Sequence, residues 1–227
     1  MSLCEGCHAG CCRSFAVPVS GADVLQIVRH QGLSFWEFVC RWADPDGSIA
    51  GNYAPHVYFD DEPDTPFVLC LTHVPSDQFP GTTRCRFLLE APDNNGNGDG
   101  VQSVGAACGI YADRPVACRV FPAKMMPRNE LAILYDVPEY GRPGKEPAYR
   151  LCPRQWTPAD VDPIEQVQDL VVAQYEMNFY TTLVQSWNRD PGPWLAFPDF
   201  LTQVYDQRVQ PNPDASQAAL RLWNPAA

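Results

Sequence analysis

The sequence predicts an α+β fold: a single irregular, loop-rich domain with C-terminal helices packed on it. Three observations carry that expectation. The 227 residues include 23 prolines and 15 glycines, which cut the chain into short elements. Short apolar runs separated by acidic and glycine-rich turns read as brief strands. Capped helical stretches stand near both ends. Hydrophobic content of 45% with 19% charged residues places the chain among globular proteins. Residues 1–156 read as one domain and 157–227 as a helical extension packed on it.

The N-terminal stretch Cys4-Glu5-Gly6-Cys7-His8-Ala9-Gly10-Cys11-Cys12 puts four thiols within nine residues. A Cys-x-x-Cys unit can turn both sulfurs toward one centre, and small residues let backbone amides approach them. Neighbouring side chains diverge, so Cys11 and Cys12 fit a multi-iron cluster, two nearby centres, or one ligand beside one bystander. A cysteine-ligated metal centre is therefore expected to organise the domain.

The elements follow in order. Residues 15–19 form a short apolar strand. Ser20 opens a helix with Asp23 as its capping partner; Val24, Leu25 and Val28 give its apolar face, and Gly32 ends it. Ser34 and Glu37 make a second capping box, with Leu33 and Phe38 as a hydrophobic staple. That second helix is expected to carry Phe35, Trp36, Phe38, Val39 and Trp42, with Cys40 as a core thiol. His30 reads as part of this packing scaffold. Val57-Tyr58-Phe59 and Phe67-Val68-Leu69-Cys70-Leu71 are strands joined by an acidic turn, and Cys70 is expected to be buried. His56 and His73 flank them as lone histidines, more often structural than ligating.

Cys85-Arg86-Phe87-Leu88-Leu89 reads as one short strand. Residues 93–100 open like a calcium loop, but Val104 stands where a bidentate glutamate is needed, so a solvated glycine-rich loop is expected. Cys108 and Cys118 flank a turn fixed at Pro115. A hairpin is expected at 131–135, followed by Cys152-Pro153. Helix starts at 157–160 and 162–165 lead into a helix reaching Trp187, with Ile164, Val167, Val171, Tyr175 and Phe179 along one face. A shorter helix at 200–205 precedes a loosely ordered tail.

The net charge of −11, with only 16 Lys+Arg, argues against a nucleic-acid or anionic-membrane surface. No run reaches the length of a membrane helix, and no signal peptide precedes the first thiols. The default compartment is then a reducing cytoplasm, where ten cysteines are expected to be metal ligands sooner than disulfides.

The run Cys4-x-x-Cys7-x-x-x-Cys11-Cys12, then Cys85-x-Phe87-Leu88, then Cys108-x-Ile110-Tyr111-x-x-Arg114-Pro115-x-x-Cys118-Arg119-x-Phe121-Pro122, then Cys152-Pro153, resembles the YkgJ-type cysteine-cluster family. The resemblance covers residues 4–153, with the stretch between Cys85 and Cys108 standing as an insertion. That family is described as chelating zinc or iron, and it includes the N-terminal part of flagellin lysine N-methylase. The resemblance implies eight ligand candidates: Cys4, Cys7, Cys11, Cys12, Cys85, Cys108, Cys118 and Cys152. Cys4 and Cys7 should then lie near Cys108 and Cys118.

Thiolates select zinc, copper(I) or iron–sulfur clusters over hard cations. Arg114 and Arg119 would offset the negative charge of such a centre. The adjacent Cys11-Cys12 pair and the amide-rich arm favour an iron–sulfur cluster, [4Fe–4S] in type, with zinc as the alternative. A structural, redox or sensing role is the leading expectation. A metal-dependent enzyme, methyltransferase-like by analogy, is the alternative; no glycine-rich nucleotide loop or nucleophile–histidine pairing supports it.

Overall fold

The structure is a computed structural model that describes residues 9–50, 54–90, 106–121, 123–125, 132–134, 159 and 162–209. It mixes helices with small antiparallel sheets, the α+β class expected. The order is α1 (Cys11–Ser14), α2 (Gly21–Gln31), α3 (Phe35–Phe38), β1 (Val39–Ala43), β2 (Val57–Phe59), β3 (Glu62–Leu71), β4 (His73–Pro75), β5 (Thr83–Cys85) and β6 (Leu88–Glu90). Then come β7 (Ala106–Cys108), α4 (Val116–Val120), β8 (Ala123–Met125), β9 (Ala132–Leu134), α5 (Pro163–Trp187) and α6 (Phe197–Val209).

β3 is the packing axis. It lies between β1 and β2 in a three-stranded antiparallel sheet. Residues 67–71 are buried on both faces, which is why they read as a continuous apolar run. Where β2 stops, residues 17–19 take its place: Leu71 N–H donates to Val17 O and Val19 N–H to Leu69 O, both at 2.9 Å. The expected strand at 15–19 is thus an extended segment docked on β3.

Local signals placed α2 well. Ser20 and Asp23 form the capping box, and Gly32, at φ 65°, supplies the left-handed residue that stops the helix. The Ser34–Glu37 box also forms, but α3 ends at Phe38 and the chain becomes a strand. The expected helix through Trp42 is therefore wrong. β-branched Val39 and aromatic Trp42 gain a five-residue ladder with β3, and that pairing overrides helical continuation. Cys40 consequently sits half-buried on β1, opposite Cys70, and its thiol donates to Cys70 O at 3.5 Å. The run from Cys85 to Leu89 is likewise two strands, because Arg86 and Phe87 turn between β5 and β6. Where a hairpin was expected at 131–135 there is one strand, β9, which pairs antiparallel with β8 at 123–125. The calcium-like loop and the C-terminal tail lie outside the described residues, as does the helix start at 157–160 apart from residue 159.

α5 begins where expected, with Asp162 capping the N–H groups of Ile164 and Glu165. Its inner face differs from the one the sequence suggested. Ile164, Val167, Val171 and Tyr175 are exposed, while Leu170, Tyr180, Leu183, Val184 and Trp187 are buried. The helix is apolar on more than one side, so periodicity alone offers two stripes. What decides is its C-terminal end. Trp187 Nε1 donates to Tyr58 O (2.8 Å), Asn188 Nδ2 to His56 O (2.8 Å), and Tyr58 N–H to Asn188 Oδ1 (3.0 Å). That attachment to β2 rotates the Trp187 stripe inward.

An aromatic cluster closes this end. Phe59 lies within ring-contact distance of Trp194 (5.0 Å), Phe197 (5.7 Å), Phe67 (5.8 Å) and Trp187 (6.1 Å). Among the described residues no helix is long and apolar enough to cross a membrane.

Two substitutions test which face of α5 packs. Leu170→Asp should destabilise by about 3 kcal/mol or more, because it buries an unpaired carboxylate. Val171→Asp should stay within about 0.5 kcal/mol of the parent in urea unfolding. The reverse order would restore the face suggested by periodicity.

Candidate metal centre

Four elements bring cysteines to one neighbourhood. α1 carries Cys11 and Cys12, β5 ends on Cys85, β7 ends on Cys108, and α4 holds Cys118. α1 packs against β5. β7 pairs with β6 so that Cys108 stands opposite Leu88. Cys85 belongs to the buried core, and Cys12, Cys108 and Cys118 pack against that core.

The turn into α1 is tight. Ala9 adopts φ 58°, a left-handed conformation that costs a non-glycine residue about 1–2 kcal/mol. Cys12 N–H then donates to Ala9 O (3.0 Å) and Arg13 N–H to Gly10 O (3.1 Å).

Each of these thiols has neighbouring thiols among the causes of its upward shift. The Cys12 thiol is pushed up, first by its hydrogen bond with Cys11, then by burial, then by Cys11, Cys85 and Cys118. Burial dominates the upward push on Cys118, followed by Cys11, Cys85, Cys108 and Asp23. Cys85 is raised to about 11 by burial, with Cys108 and Cys11 adding to it. Cys108 is raised by burial and by Cys11. Cys11 therefore lies within electrostatic range of all four of the others. Two backbone amides oppose these shifts: Phe87 N–H bonds to Cys85 and Ile110 N–H to Cys108. Each amide lies two residues after its cysteine, and each favours the thiolate that a soft metal requires.

The thiols share a neighbourhood without forming a finished cage. Among the described residues no three His, Cys, Asp or Glu side chains stand together as a metal-ready group. Cys4, Cys7 and Cys152 lie outside the described residues, as does the expected approach of Cys4 and Cys7 to Cys108 and Cys118. The donor set nevertheless fits a soft metal: Cys12, Cys85, Cys108 and Cys118 are thiols and not disulfide halves.

The three histidines among the described residues belong elsewhere. His73 contacts Thr83 Oγ1 (3.2 Å) and Phe15 O (3.0 Å) through its two ring nitrogens. His56 Nε2 meets Asp44 Oδ2 at 3.0 Å, and His30 Nδ1 meets Asp113 Oδ1 at 2.6 Å. Burial raises the Cys70 thiol, with Cys40 and Asp44 adding to it. The Arg114 guanidinium acts on Cys108 and lies 4.1 Å over the Tyr111 ring. Arg119 meets carboxylates instead: it offsets the charge of Asp23 and stands 4.0 Å from Asp169 Oδ1.

Two features behind the thiols have no signal in the sequence. The first is a buried ion pair next to Cys12. The Arg13 guanidinium pairs with Glu90 and donates to Ser76 Oγ (2.9 Å) and Gln78 Oε1 (2.9 Å). Glu90 also accepts from the Ser76 hydroxyl (2.6 Å) and Asp77 N–H (2.8 Å), and Arg84 Nε lies 3.1 Å away. Burial works to raise the Glu90 carboxyl, but Ser76, Arg13 and Asp77 together bring it down to about 2. The second is Asp23, whose carboxylate reaches α4.

The comparisons agree with this picture. A chain that gathers thiols from four short elements has the make-up of a cysteine-based chelating domain. The model of the CxxCxxCC family, described as "Putative zinc- or iron-chelating domain", matches residues 3–140, more than half of the chain, and the protein belongs to that family. The match ends before Cys152-Pro153, the last motif of the sequence resemblance. No curated protein and no solved structure matches the chain.

Glu90→Gln leaves the Arg13 charge buried without its partner and should cost about 3 kcal/mol at pH 7. The Glu90 carboxyl is depressed on folding. Its stabilisation is therefore complete above an ordinary glutamate pKa of about 4.3 and is lost as pH falls toward 2. Urea unfolding of both proteins from pH 7 to pH 2 should show the gap closing in the acid range. A constant gap would contradict the ion-pair account.

Proposed function

We propose that this protein is a metal-binding module whose thiolates hold an iron–sulfur cluster in a structural, redox or sensing role. The observation that carries the reading is the position of Cys11 within electrostatic range of Cys12, Cys85, Cys108 and Cys118. Five thiols in one neighbourhood are enough for the four that either a cluster or a tetrahedral zinc takes, and the adjacent Cys11-Cys12 pair is what favours the cluster. The amides of Phe87 and Ile110 supply N–H···S bonds of the kind that tune cluster potentials. Cys11, Cys12, Cys85, Cys108 and Cys118 would hold the group, together with Cys4, Cys7 and Cys152. Arg114 would offset its charge from beside Cys108. When bound, the cluster would supply a one-electron centre or a structural crosslink. The protein's part is to place thiolates, donate amides to sulfur and exclude water from the buried Cys85.

Protein purified anaerobically from iron-replete cells should contain iron and acid-labile sulfide and should absorb broadly in the visible. Cys118→Ser should remove most bound metal. Cys40→Ala should retain it, with only a packing cost of about 1–3 kcal/mol. Stoichiometric zinc without sulfide would replace the cluster by a zinc site. Retention of full metal by Cys118→Ser with loss in Cys40→Ala would overturn the ligand assignment.

A further inference from the structure

We infer that Asp23 is a positioning residue for the Cys118 thiol, joining the α2 N-terminus to the helix that presents Cys118. This inference rests on the metal-binding reading above. Asp23 is 5% exposed, and its two carboxylate oxygens are divided between two helices. Oδ2 accepts from Ser20 N–H and from the Ser20 hydroxyl, each at 2.8 Å. Oδ1 accepts from Val116 N–H at 2.8 Å. A capping box needs only the first of these. The second leaves α2 altogether and ends two residues before Cys118.

α4 depends on such help. It has five residues, far below the length at which a helix stands alone. Val116 is its first residue, so Val116 N–H has no acceptor within the helix. Within α4, Cys118 N–H and Arg119 N–H both return to Pro115 O, at 2.8 and 3.1 Å. The thiol thus rides on a turn whose first free donor is held by Asp23.

The carboxylate is kept buried for this purpose. Burial pushes its pKa up, while the bonds from Ser20 and Val116 and the charge of Arg119 oppose that push. Tyr180 of α5 and Tyr205 of α6 both lie within range of its charge. Gly21 permits the closure: a Cβ there would stand 2.3 Å from Tyr205 Cε2.

The test uses cobalt(II) added to the reduced full-length protein, because the thiolate-to-cobalt charge-transfer band reports thiolate ligation. Asp23→Ala should lower that band by as much as Cys118→Ser, and the double variant should lose no more than either single one. Asp23→Asn has one acceptor oxygen where Ser20 N–H and Val116 N–H need two, and should recover only part of the band. Val116→Pro removes the donor and leaves the Ser20–Asp23 box intact. Pro115 is already extended at ψ 151°, as a residue before proline must be. It should match Asp23→Ala, and it carries the test if that variant fails to fold. Asp44→Ala, destabilised elsewhere, should keep the full band. A full band in Val116→Pro, or in a folded Asp23→Ala, would overturn the positioning role. A parent protein with no thiolate band would overturn the metal reading itself.

Discussion

An arginine guanidinium gains nothing from leaving water unless its charge and its N–H groups are met inside. Arg13 is met on every side the structure describes: by Glu90, Ser76 and Gln78, with Phe79 under its plane at 4.8 Å. That arrangement fixes the residue directly after Cys12 to the end of β6. Glu90 in turn is held by the 76–78 loop and by Arg84 of β5, the strand that ends on Cys85. One ion pair therefore sets the α1 thiols against Cys85. A hydrophobic contact at this place would allow sliding; a buried charge pair has one geometry and a heavy penalty for leaving it.

β3 does the complementary work for packing. Its inner residues are buried on both faces, and it collects β1, β2 and the 17–19 segment along its length. The two cysteines on this sheet, Cys40 and Cys70, face each other across β1 and β3, and Cys40 bonds to a carbonyl. Among the described residues the thiols are thus separated by environment. Those in the sheet pack as small apolar groups, whereas those at strand ends and on short helices lie among other thiols and amide donors.

What could be read in the sequence was local. Both capping boxes, the Gly32 stop, the Asp162-Pro163 start and the buried run at 67–71 follow from contacts within a few residues, and all are present. The misreadings concern choices made at a distance. Val39 and Trp42 suit a helix or a strand, and β3 decides between them. The α5 stripes are equally apolar, and the bonds of Trp187 and Asn188 to β2 decide between those. At the thiol site the spacing of cysteines was visible, but their supports were not. Arg13 and Glu90 are far apart in sequence, and Asp23 looked complete as the partner of Ser20. The left-handed residue of the turn into α1 is Ala9, while the adjacent Gly10 is right-handed, a choice no local signal marks.

The C-terminal helices lie beyond residue 140, where the family match ends, yet they reach the helix that carries Cys118. Gln166 of α5 donates to Val120 O at 2.9 Å and so holds the C-terminal end of α4. Asp23 holds its N-terminal end from α2. Tyr205 of α6 closes over Gly21, beside that same carboxylate. A five-residue helix fixed at both ends by side chains from other elements cannot shift its thiol without breaking one of those bonds. Of the two, one comes from within the matched domain and the other from the extension. The extension therefore works as part of the frame around the thiols, because α4 is too short to hold its own position.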